Sequence, residues 1–170
     1  MAYIGFRRPD CTASYGRIKG DRVFDYGAAG MPATLRAAIS AGSPDDPVAD
    51  DAILLAEPTL LPVIPDPGQI PCVGHHNESH RQETGRAKVA HPSIFARFAD
   101  TLIADRQPIV LPHVSDHLDG EGKPAIVIGC GGRHIAEADA LDHVAGYACS
   151  NDAGVRDGRR TIRGQLAVRL

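Results

Sequence analysis

The stretch IPDPGQIPCVGHHNESHRQETGR, residues 64–86, divides the chain. Its PDPGQIP segment, 65–71, is turn chemistry, with proline fixing φ and glycine freeing it, and marks a boundary between two differently built parts. IPCVG at 70–74 then reads as a short strand. Behind it, Asn77 or Ser79 can cap a short helix, Gln82 or Glu83 can complete a capping box, and Gly85 can end the helix.

Upstream of the boundary, YIGF, ASYGRI and RVFDY have strand character, and Lys19-Gly20-Asp21 turns the second into the third. MPATLRAAISAG, 31–42, reads as a helix with Pro32 near its first turn and Gly42 just past its end. SPDDPVADD is a polar, proline-punctuated loop, DDAILLAE a second helix, and TLLPVI a strand. Downstream, IPCVG, PSIFARF, PIVLP, AIVIGC and VAGYACS are strand-length apolar runs separated by Gly, Pro and Asp. One helix, AEADALDHV at 136–144, interrupts them, with acidic residues near its start. The expected class is α+β: a small N-terminal α/β domain over 1–66 and a mostly β domain over 67–170.

Composition bounds the function. With 170 residues the chain can bury a core without metal or disulfide staples. A net charge of -3 gives no global attraction to nucleic acid or to an anionic membrane. No apolar run approaches the roughly 20 residues of a membrane span, and MAYIGFRRPD lacks a signal-peptide core. Cys11, Cys72, Cys130 and Cys149 form no CxxC and read as small buried hydrophobes in a reducing cytoplasm.

Three groups of side chains can carry chemistry. His80 and Glu83 stand three apart, on one face of the short helix. A carboxylate that holds one imidazole nitrogen fixes the tautomer and makes the other nitrogen a general base; a solvated helix face is the plainer alternative. His76 and His80 also have the spacing of a zinc pair, but His76 precedes the cap. In LDGEGKPAIVIG, 118–129, an early strand start would turn Asp119, Glu121 and Lys123 to one side. SNDAGVRD places Asn151, Asp152, Arg156 and Asp157 just past an apolar strand, where carboxylates can hold Mg²⁺ or simply cap backbone amides.

In order, IPDPGQIPCVGHHNESHRQETGR, PIVLP, VIG, EADALDHVAGY and SNDAGVRD resemble the fumarylacetoacetate hydrolase family, and the opening strands with LLPVIPDP resemble its small N-terminal domain. The likeness covers about residues 1–157. It implies a mixed β-roll as the catalytic domain, incomplete here at the C-terminus. It also implies hydrolysis, decarboxylation or isomerisation of a small 2-oxo acid such as an acylpyruvate. The family's cofactor is a divalent metal, Mg²⁺ or else Mn²⁺ or Ca²⁺, which chelates the oxo acid. By motif position His80 and Glu83 match the catalytic dyad, Glu121 and Asp152 match metal ligands, and Asp119 is an accessory.

The chain also departs from that pattern. His76-Asn77 stands where the family has Asn-Tyr, Lys123 where it has a second metal glutamate, and Gln165 near where a lysine is expected. A dication about 6 Å from an ammonium is repelled by roughly 5 kcal/mol at an effective dielectric near 20. Lys123 is therefore expected to pair with Glu121 and Asp152 and to weaken metal binding. A shortened roll would expose strand edges and an apolar face, so self-association, as a homodimer, is expected. The alternative to an enzyme is a degenerate or truncated non-catalytic paralogue with its metal site impaired, surviving as an interaction module or not functional. The basic final segment, DGRRTIRGQLAVRL, is expected to be a solvated end or the product of a shifted reading frame.

Overall fold

The computed structural model describes residues 1–42, 52–74, 82, 85 and 91–155. Strands β1 (Ala2–Arg7), β2 (Ala13–Lys19), β3 (Arg22–Asp25), β4 (Ala52–Leu54) and β5 (Thr59–Leu61) form one antiparallel sheet in the order β4-β3-β2-β1-β5. Lys19 faces Arg22, which leaves a two-residue loop, and Gly20 supplies the positive φ of 63° that such tight hairpins need.

Helix α1 (Leu35–Ser40) packs on this sheet. Thr34 caps it by accepting from the Ala37 N–H at 3.1 Å. Gly42, two residues past its last turn, has φ 103°. The helix is shorter than MPATLRAAISAG suggests, because capping begins at Thr34 and leaves Pro32 outside. Tyr15, Tyr26, Leu35 and Ala38 form the core, with Tyr3, Phe24 and Ile39 against it. Tyr26 meets both Tyr3 and Tyr15 edge to face, at 6.0 and 6.2 Å between centroids.

Three sequence expectations are corrected. DDAILLAE contributes an edge strand, β4, instead of a helix, because Ala52, Ile53 and Leu54 pair with Phe24, Val23 and Arg22. That pairing outweighs the helix preference of Ala and Leu. PIVLP forms no strand; its flanking prolines cannot donate to a ladder. Residues 137–143 wind as a 3₁₀ helix instead of an α-helix. Ala136 offers no side-chain cap, and the far end is pinned where the His143 carbonyl accepts from Gly129 and Cys130 at 2.9 and 3.3 Å. The SPDDPVADD loop and the final basic segment lie outside the described residues.

The second part is built from antiparallel pairs. β6 (Ile70–Gly74) pairs with β7 (Ser93–Arg97), β8 (Leu118–Asp119) with β11 (Gly154–Val155), and β9 (Gly122–Ile128) with β10 (Val144–Asn151). Along β9, Lys123, Ala125 and Val127 are half-buried while Pro124, Ile126 and Ile128 face outward. Ile126, at 56% exposure, lies opposite Tyr147, at 67%. The expected mixture of a small α/β part and a mostly β part is therefore observed. No helix among the described residues is long and apolar enough to cross a membrane.

Candidate functional site

The β8–β11 and β9–β10 ladders continue one into the other across Gly120-Glu121 and Asp152-Ala153. At this junction the Asp152 N–H donates to the Glu121 carbonyl at 2.8 Å, and the Glu121 N–H donates to Asn151 Oδ1 at 3.0 Å. Gly120 allows the approach: a Cβ there would sit 3.3 Å from Asn151 Oδ1. The junction thus brings the backbones of Glu121 and Asp152 side by side.

Their side chains go to different partners. Glu121 Oε2 lies 2.8 Å from Lys123 Nζ, two residues along the same strand direction. Asp152 Oδ1 pairs with Arg97 Nη2, and the same Nη2 donates to the Ala153 carbonyl at 2.8 Å. The expectation that Lys123 pairs with Glu121 is met; its expected pairing with Asp152 is corrected, because Arg97 holds that carboxylate. Both members of the Arg97–Asp152 pair are largely buried, with side-chain exposures of 16% and 13%. Asp119 is half-buried on β8, opposite Gly154, and its Oδ2 is shielded from solvent.

Cys72, half-buried on β6, borders the same cluster. Burial pushes its thiol pKa up, the Asp152 charge adds to this, and Arg97 and Lys123 oppose it. Arg97 was not legible as a site residue. The available signal was its position: on β7, Phe95 and Arg97 are half-buried whereas Ile94 and Ala96 are exposed, so an arginine lies on the inward side of a strand.

The proposed dyad, His80 and Glu83, lies outside the described residues, as do His75, His76, Asn77, Ser79, Arg156 and Asp157. Within that stretch Gln82 is helical, and Gly85 has φ 64° with its N–H 3.1 Å from the Gln82 carbonyl. A positive φ of this kind is a backbone conformation that favours glycine.

A divalent metal needs carboxylate oxygens that converge without a competing cation. Here Glu121 and Asp152 each hold a cation of the protein's own. Among the described residues, no group of three or more His, Cys, Asp or Glu side chains is placed to hold a metal ion. As paired among the described residues, these two carboxylates do not by themselves fit a divalent metal.

Comparison with known proteins agrees with this architecture. The family model described as "Fumarylacetoacetate (FAA) hydrolase C-terminal" matches residues 69–167. A mitochondrial oxaloacetate tautomerase of Xenopus laevis is 37% identical over 99 residues, 58% of this chain and 31% of that protein. A human mitochondrial oxaloacetate tautomerase is 35% identical over 102 residues, 60% of this chain and 32% of that protein. The chain thus spans about a third of the length of these curated relatives. A fumarylacetoacetate hydrolase from Exiguobacterium antarcticum superposes with TM-score 0.76 at 28% identity, over 93% of this chain and 57% of that one. A maleylpyruvate hydrolase from Sphingobium sp. SYK-6, in complex with manganese(II) and pyruvate, superposes with TM-score 0.66 at 26% identity, over 90% and 59% of the two chains.

Proposed function

This chain belongs to the fumarylacetoacetate hydrolase family, and from that premise we propose that it acts on a small 2-oxo acid by C–C bond hydrolysis, decarboxylation or isomerisation. The observation that carries this reading is the 69–167 family match, which spans His80, Glu83, Glu121 and Asp152 together. The similar oxaloacetate tautomerases and the pyruvate-bound maleylpyruvate hydrolase support the substrate class. In this proposal His80 is the general base and Glu83 orients it, fixing which imidazole nitrogen carries the proton. His80 takes a proton either from water or from the carbon beside the oxo group. No step runs through a metal, since the Glu121 and Asp152 arrangement does not fit one.

The test is a panel of oxaloacetate and acylpyruvates presented to the purified chain. Turnover is expected, and His80→Ala should lower it by roughly a hundredfold or more, the usual worth of a general base. Absence of turnover across the panel, or full activity in His80→Ala, overturns the reading. One observation favours a second reading, a non-catalytic family member that serves as an interaction module: Lys123 neutralises Glu121 within the site. That second reading expects His80→Ala to change nothing.

A further inference from the structure

We infer that Lys123 and Arg97 close this site to divalent cations, so that the chain is a metal-independent member of its family. The inference rests on the reading of the Glu121/Asp152 cluster as the family's site, not on turnover. Glu121 is engaged by Lys123 at 2.8 Å, and Asp152 by Arg97. Neither cation leaves easily. Lys123 stands on β9 opposite Ser150, so its backbone is fixed by the ladder, and its side chain is only 30% exposed. Arg97 is anchored a second time through the Ala153 carbonyl, at 2.8 Å. A dication entering here would have to displace both partners. It would strand a guanidinium that is 16% exposed, and would face the Lys123 ammonium at short range. The manganese-bound maleylpyruvate hydrolase shows that the fold can hold such an ion; in this chain the protein's own cations hold Glu121 and Asp152.

Titration of the chain with Mn²⁺, followed by calorimetry and by the paramagnetic resonance signal of free Mn²⁺, tests this without an activity assay. The intact chain should show no saturable site at micromolar to sub-millimolar Mn²⁺. Lys123→Glu, which removes the cation and adds a carboxylate, should gain at least tenfold in affinity. Lys123→Gln, which only removes the charge, should gain less. Circular dichroism reports whether each variant folds; should Lys123→Glu fail, any gain in Lys123→Gln decides. Micromolar binding by the intact chain that is lost in both Glu121→Gln and Asp152→Asn overturns the inference. So does the absence of any gain in a folded Lys123 variant. A 2-oxo acid assay that fails leaves this titration unaffected, so the two outcomes are separable.

Discussion

Glu121 and Asp152 share a backbone hydrogen bond of 2.8 Å, yet their carboxylates pair with different cations, Lys123 and Arg97. The scaffold thus sets two acidic side chains next to each other while an ammonium and a guanidinium neutralise them separately. Energetically the two pairs are unequal: the Arg97 pair is the more buried and is tied again through Ala153.

Removing Arg97 should therefore be costly. Arg97→Met strands the largely buried Asp152 carboxylate, and unfolding free energy is expected to fall by about 3 kcal/mol in urea titration. Adding Asp152→Asn should restore part of that loss, because the stranded charge is gone. Equal losses that simply add would show that the pair does not couple.

The N-terminal sheet carries a pH-sensitive pair. Burial pushes the Asp25 carboxyl up, but hydrogen bonds from Arg8, Ser14 and the Ala28 N–H, with the Arg8 charge, outweigh it and leave the pKa below the ordinary range. A lowered folded pKa stabilises the protein above the unfolded value, about 3.9, and that stabilisation is lost as pH falls through the folded value. Asp25→Asn should lower stability by roughly 2 kcal/mol near neutral pH, with a difference from the parent that shrinks below about pH 4. Thermal melts across pH 2–7 check this; a gap that is constant with pH would count against it.

Gly16 is held between strands. A Cβ at this position would run into the Phe24 carbonyl and lie 2.8 Å from Val23 Cγ1. Backbone is the obstacle, so Gly16→Ala is expected to destabilise by about 1–3 kcal/mol. By contrast, a Cβ on Gly122 meets nothing within 4 Å. Gly122→Ala should be close to neutral in the same denaturant titration, and a larger loss there than at Gly16 would contradict the packing described.

Ile126, Ile128 and Tyr147 give the β9–β10 pair an outward apolar face, with exposures of 56%, 60% and 67%. Such a face favours self-association. Sedimentation velocity should show the chain heavier than a monomer, and Ile126→Lys with Tyr147→Ser should shift it toward the monomer. A parent chain that stays monomeric at high concentration refutes this.

Local pattern made much of the fold legible. β1, β2 and β3 follow from branched and aromatic runs joined by Gly20, and β6, β7, β9 and β10 follow from apolar runs between turn residues. β4 was illegible because its identity lies in its partner: Ala52–Leu54 is a strand only by virtue of Arg22–Phe24 alongside it. The same reason hid half of the site. Lys123 lies two residues from Glu121, and the two partners can be read from spacing. Arg97 reaches Asp152 across 55 positions of chain, since 152 − 97 = 55, and no local periodicity encodes that meeting.

The register at residue 123 has an evolutionary corollary. The pairing Lys123↔Ser150 belongs to the peptide backbone, so the ladder places no demand on which head group projects from that position. The electrostatic sign at the end of β9 can therefore reverse through one replacement while the architecture is inherited unchanged. Kinship across roughly a hundred residues and chemical equivalence are thus free to part company at a single side chain.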